Sequence, residues 1–142
     1  MTTGIEVRLI PIQNSHARCP KVLVVDDDKD TRDLVRLHLA EAGYGVSLAE
    51  DAIAAARLLG AAPDLLIIDV QMPHLNGLDS VATLLADSII PRVPVVFISS
   101  NERFALTAQV LGTGFLLKPF LKNELLGAVS RTLAARPGAA VD

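Results

Sequence analysis

Short runs of consecutive apolar residues alternate along this chain with longer stretches whose apolar residues recur at helical spacing. "KVLVV" (21–25) is apolar after its first residue, the pattern of a strand covered on both faces. From Asp28 or Lys29 to Ala42 the spacing predicts a helix with a wide apolar face of Leu34, Val35, Leu37, Leu39 and Ala42. Gly43 is placed to cap it. "VSLA" (46–49) is a second strand, and Asp51 to Leu59 an Ala-rich helix stopped by Gly60 and Pro63. "DLLIIDV" (64–70) is a third strand, apolar until its carboxyl end. "MPHLNG" (72–77) is a loop, since Pro, Asn and Gly all interrupt regular structure. A helix from Gly77 or Leu78 to about Ala86 follows, then a fourth strand, "VPVVFISS" (93–100), and a helix over 102–111. "FLLK" (115–118) is a fifth strand, and Lys122 to Ala135 a last helix with Leu125, Leu126, Val129 and Leu133 on one side.

Five repeats of strand then helix predict an α/β fold around a parallel sheet. Right-handed crossovers leave a doubly wound sheet as the leading topology. In such sheets ligands sit beyond the carboxyl ends of the strands. Residues 1–20 form a leader expected to be poorly ordered, with an extra edge strand or a misplaced start as alternatives. Residues 136–142 are expected to be a frayed tail. The body, 21–135, is one domain.

Composition narrows the picture. The 142 residues suffice for a full-sized core, and with 51% hydrophobic residues disorder is not expected. A net charge of −3 and the lack of a clustered Lys/Arg patch argue against direct nucleic-acid binding. No stretch is long enough for a membrane span, and Glu6 and Arg8 interrupt the only apolar run near the start. The single cysteine, Cys19, cannot form an internal disulfide, which suits a cytoplasmic setting.

The polar residues collect at the predicted strand ends. The first strand runs into Asp26 and Asp27, the third ends in Asp69, the fourth in Ser99 and Ser100, and the fifth in Lys118 before Pro119. Two carboxylates 4 Å apart repel by about 4 kcal/mol near a protein surface. Such crowding suits a hard divalent cation such as Mg²⁺, which takes oxygen ligands and shares them with phosphate. Each residue also has a plainer reading. Asp28 and Asp30 serve the start of the helix; a Ser can satisfy loop amides; a Lys before Pro can be solvated. Four such coincidences at four strand ends favour a site.

At this point the sequence resembles a response-regulator receiver domain (CheY-like) of two-component signalling. The likeness runs from about Lys21 to Ala135 through "VLVVDDD", "PDLLIIDVQMPHLNGLD", "PVVFISS" and "LLKPF", in the family's order and approximate spacing. It implies a flavodoxin-like sheet in strand order 2-1-3-4-5 with five helices. It implies that Asp69 is the phosphoacceptor, taking a phosphoryl group from a sensor histidine kinase or a histidine phosphotransfer protein of a phosphorelay. Asp27 would bind Mg²⁺ (or Mn²⁺) directly and Asp26 mainly through water, with Asp69 and the backbone carbonyl of Gln71 as further ligands. Ser99 would hydrogen-bond the phosphoryl oxygen, and Lys118 would pair with Asp69 and then with the phosphate. A cis peptide is implied between Lys118 and Pro119. Ser99 and Phe115 would form the switch, changing the surface made by the fourth helix, fifth strand and fifth helix. Such a domain catalyses only its own phosphorylation and dephosphorylation. It acts on a protein target or a fused output domain, as a monomer or a weak phosphorylation-dependent dimer.

Some positions depart from the commoner family pattern. Ser99 stands where Thr is more frequent, and Ser100 where a very small residue is usual. Gln71 and Asn101 occupy variable positions associated with dephosphorylation rate. The fourth predicted helix is poor in charge, and Phe104 and Leu106 suggest a partly apolar contact surface, with at least one of the two expected to pack into the core. His38 is read as structural, His74 as a loop residue near Asp69; with His16 they form no metal triad.

Three rival readings compete with this one. Asp26-Asp27-Asp28 after an apolar strand resembles haloacid-dehalogenase-type aspartyl-phosphate hydrolases, but Asp30 stands where Thr or Val is wanted and the chain leaves little room for a cap. An EF-hand loop needs Gly where Thr31 stands and Glu where Leu37 stands. A pseudo-receiver that binds partners without phosphorylation is the third.

Overall fold

The computed structural model describes residues 19–70, 93–111 and 113–135. The elements are β1 (Lys21–Val25), α1 (Lys29–Glu41), β2 (Gly45–Ala49), α2 (Ala52–Leu59), β3 (Leu65–Asp69), β4 (Val95–Ser99), α3 (Phe104–Leu111), β5 (Gly114–Leu117) and α4 (Lys122–Ala135). The five strands form one parallel sheet in the order β2-β1-β3-β4-β5, as the resemblance implies. Four helices fall among the described residues; the loop at 72–77 and the helix expected to end near Ala86 lie outside them, as do most of the leader and the tail.

The continuously apolar strands sort themselves by the two-residue period of a pleated sheet. Leu23, Val25, Leu66, Ile68, Val95 and Phe97 share one cluster with Ala55 and Leu59 of α2 and Ala108 of α3. Val22, Val24, Leu65, Ile67, Val96 and Ile98 share another with Val35 and Leu39 of α1 and Leu125, Ala128 and Val129 of α4. Helices therefore cover both faces, and the central strands are buried on each side. This is why β1, β3 and β4 read as unbroken hydrophobic runs rather than alternating ones.

The helix ends follow local chemistry. Asp51 sits before α2, and its carboxylate accepts the Ala54 N–H at 2.8 Å, an N-cap rather than a first helical residue. Asp28 holds the corresponding place before α1, but its carboxylate takes the Thr31 hydroxyl at 2.6 Å instead of a backbone amide. At the other end of α1 the Gly43 N–H donates to the Ala40 carbonyl and the Tyr44 N–H to the Leu39 carbonyl, with Gly43 at φ +98°. The wide apolar face expected for α1 is corrected: Val35 and Leu39 are buried, whereas Leu34 and Leu37 are 45% and 49% exposed and Ala42 is exposed. A helix lying on a sheet seals only a stripe, and these residues flank it.

Ala62, after α2, also adopts a left-handed conformation, at φ 56°. A β-carbon there costs about 1–2 kcal/mol. Ala62→Gly should therefore raise stability by somewhat less than about 1 kcal/mol, after the added freedom of the unfolded chain is subtracted. Gly43→Ala, at a position with open space around it, should lower stability by a similar amount. Urea unfolding of the two variants should show midpoints moving in opposite directions.

Candidate functional site

The strand ends deliver the polar residues to one place because each chain segment stays paired as it leaves the sheet. Asp26, one residue past β1, donates its N–H to the Ala49 carbonyl at 3.1 Å. Asp69 is the last residue of β3, and the following Val70 N–H donates to the Ile98 carbonyl. Lys118, one residue past β5, donates its backbone N–H to the Ser99 carbonyl at 2.8 Å. The Lys118–Pro119 peptide is cis.

Lys118 Nζ lies 2.9 Å from Asp26 Oδ2 and 3.0 Å from Asp69 Oδ2, so one ammonium bridges two carboxylates. Asp26 is fully buried and Asp69 is 4% exposed. Asp26 Oδ1 also accepts the Asp28 N–H at 2.9 Å. Asp27 is exposed, and it offers a carboxylate oxygen that lies, with one from Asp26 and one from Asp69, in a group no wider than 4.8 Å. Ser99 is fully buried, and its Oγ accepts the Asn101 N–H at 2.9 Å. The sequence-predicted Asp26, Asp27, Asp69 and Lys118 thus meet at the carboxyl edge of the sheet. Gln71 and His74 lie outside the described residues. Phe115 pairs in register with Phe97 and packs, partly buried, against the α2–α3 side of the core.

Burial pushes the Asp26 carboxyl up to about 6, a rise to which the charge of Asp69 adds; the Asp28 amide and the Lys118 pair oppose it. Burial pulls Lys118 down, but its bonds to Asp26 and Asp69 outweigh this and the net shift is upward. One ammonium therefore stands against as many as three carboxylates. The remaining negative charge, presented entirely by hard oxygen atoms, fits a small divalent cation.

Beside Lys118 a cleft of about 360 Å³ opens between the start of α1 and the loops after β4 and β5, lined by Thr31, Leu34, Ser100, Lys118, Pro119 and Phe120. The sequence reading missed one contributor. Arg32 Nη1 donates to the backbone carbonyl of Asp26 at 2.7 Å. Its signal was a cation one turn into the helix after an acidic run, which reads equally as an ordinary exposed helix residue. His38 is half-buried in α1; its buried Nδ1 has no hydrogen-bond partner among the described residues and stands 4.0 Å from Glu41.

Residues 22–130 match the family model of the response regulator receiver domain. The chain belongs to that family. Protein PilG of Pseudomonas aeruginosa is 34% identical over 113 residues, which cover 77% of this chain and 84% of PilG. The response regulator MprA of Mycobacterium avium is 32% identical over 117 residues, 80% of this chain but only 50% of that protein. Among solved structures, the chemotaxis response regulator CheY4 of Vibrio cholerae superposes with a TM-score of 0.72 at 31% identity, over 80% of this chain and 98% of that one. NtrX of Brucella abortus is 34% identical with a TM-score of 0.73, and the match spans 27% of its chain. Receiver domains are signalling modules of two-component systems; they work with histidine kinases and bind Mg²⁺ through clustered acidic residues. No helix among the described residues is long and apolar enough to cross a membrane.

The elevated Asp26 carboxyl has a thermodynamic consequence for the metal-free protein. Between about pH 4 and pH 6 the folded chain holds a proton at Asp26 that the unfolded chain has released. Stability due to this residue therefore falls as pH rises through that window, by up to about 3 kcal/mol, and stays low above it. Urea unfolding in a chelating buffer should show Asp26→Asn gaining on the wild type as pH rises from 4 to 7, with the gap flat thereafter.

Proposed function

We propose that this receiver accepts a phosphoryl group on Asp69 from a phosphohistidine of a sensor kinase or phosphotransfer protein, and signals by a change of surface. The observation that carries this reading is the convergence of Asp26, Asp27 and Asp69 with Lys118 bridging Asp26 and Asp69. The carboxylates of Asp26, Asp27 and Asp69, with the carbonyl of Gln71, would hold Mg²⁺, Asp26 mainly through water because its oxygens already serve Asp28 and Lys118. When bound, the cation supplies neutralisation of phosphoryl oxygens.

An oxygen of the ionised Asp69 attacks phosphorus in line with the leaving imidazole nitrogen. The O–P bond forms as the P–N bond breaks, and the imidazole keeps the electron pair and is protonated. Asp69 needs no base, since it is already an anion. Lys118, drawn from its bridge, pairs with the phosphoryl oxygens and stabilises their charge. The product is an acyl phosphate, open to hydrolysis, which makes the signal self-limiting.

Phosphorylation adds about 1.5 to 2 negative charges and three strong acceptors. Ser99 turns toward them, and Phe115, on the same side of the sheet as Phe97, takes the vacated space. That shifts the surface of α3, β5 and α4 between two states. On this surface Leu106 and Val110 are 68% and 78% exposed, one turn apart, while Phe104 packs against the core. Phe104 is thus the one of the expected pair that packs inward, and Leu106 and Val110 would supply the apolar contact surface. The downstream target binds there, as a separate protein or a fused output domain. Residues 21–135 act as the receiver unit in the cytoplasm, as a monomer or a weak phosphorylation-dependent dimer.

Incubation with acetyl phosphate and MgCl₂ should give a phosphate-dependent band shift on an affinity gel. Asp69→Asn and excess chelator should each abolish it, and Lys118→Met should slow it at least tenfold. A wild-type protein that gains no phosphate would favour the phosphorylation-independent binding module.

A further inference from the structure

One turn into α1 the guanidinium of Arg32 points back toward the sheet, half-buried, and donates to the carbonyl oxygen of Asp26 at 2.7 Å. That carbonyl belongs to the peptide joining Asp26 to Asp27. The peptide is planar, so an anchored oxygen fixes the direction in which the chain enters Asp27. The three members of the acidic group differ in how they are held. Asp69 sits in β3 among buried strands, and the Asp26 carboxylate is tied to Asp28 and Lys118. Asp27 is exposed in a turn between β1 and α1, where neither sheet nor helix dictates its orientation.

We infer that Arg32 is a positioning residue for the divalent-cation site, holding the Asp26–Asp27 peptide so that the Asp27 carboxylate meets those of Asp26 and Asp69. This rests on the reading of the acidic group as a Mg²⁺ site. The charge of Arg32 makes the inference testable by sign. A guanidinium beside a cation site repels the cation, so electrostatics alone predicts tighter Mg²⁺ binding once Arg32 is removed. A hydrogen bond that merely anchors α1 predicts lower stability with Mg²⁺ affinity unchanged. Positioning predicts weaker binding, because groups that orient metal ligands commonly govern affinity by 10- to 100-fold.

The test is an amide chemical-shift titration of the full chain with MgCl₂, comparing wild type with Arg32→Met and with Arg32→Gln. The second variant serves if the first fails to fold; urea unfolding of each establishes that it is folded. The expected result is a Kd for Mg²⁺ weakened about tenfold. Phosphorylation by acetyl phosphate should then need correspondingly more MgCl₂, yet approach the wild-type rate at saturation. Unchanged or tighter Mg²⁺ binding in a folded variant overturns the role of Arg32 while leaving the cation site intact. A wild-type chain that shows no saturable Mg²⁺ response overturns the site reading itself.

Discussion

The ion bridge from Lys118 to Asp26 and Asp69 is the constraint on which the site depends. Two carboxylates with almost no exposure sit at the rim of an apolar core, and both pair with the Lys118 ammonium. Burying such charge is unfavourable unless it is paired and hydrogen-bonded. Here the compensation is incomplete: burial still holds the Asp26 carboxyl near 6 despite the bridge and the Asp28 amide. A site in which three carboxylates gather around one bridging ammonium is suited to receiving further positive charge.

The fold supplies that arrangement at a distance. Lys118 is 92 residues from Asp26 and 49 from Asp69, so no local motif could assemble the bridge. Parallel strands all finish at the same edge, and the register carries Ile68 beside Val25 and Ser99 beside Leu117. The residue that follows or ends each strand is therefore delivered to a common rim. The apolar rows beneath it, from Leu23 and Leu66 to Phe97 on one face and Val24 and Ile67 on the other, are what keep that rim rigid.

This logic also explains what could be read from the sequence. A strand buried on both faces must be apolar throughout, so "VLVV", "LLII" and "VVFI" marked the sheet, and the first polar residue after each marked its carboxyl edge. That rule, together with the family likeness, points to Asp26, Asp69, Ser99 and Lys118. What escaped depends on orientation rather than residue type. Leu34 and Leu37 have the spacing of a core-facing stripe, and only the tilt of α1 on the sheet decides that Val35 and Leu39 take the core instead. Arg32 escaped for the same reason. Its role is set by where a long side chain folds back to, and one-dimensional spacing does not encode a contact to a backbone carbonyl six residues away.

The same contrast bears on how such a domain can signal. Ser99 is fully buried at the end of β4, whereas Phe115, beside Phe97 on the adjacent strand, is only partly covered. A packed interior does not deform continuously, so a new charge at the rim acts by favouring one of two discrete packings. The elements best placed to differ are those with least core beneath them. Among the described residues α3 packs Ala108 and Phe104 inward and leaves Leu106 and Val110 in solvent, while β5 buries Leu116 and leaves Leu117 41% exposed. An edge strand and a partly exposed helix next to a half-covered aromatic can shift at smaller energetic cost than the buried central strands. The central strands that hold the carboxylates are buried on both faces, so under the proposed function the chemistry would stay fixed while the surface moves.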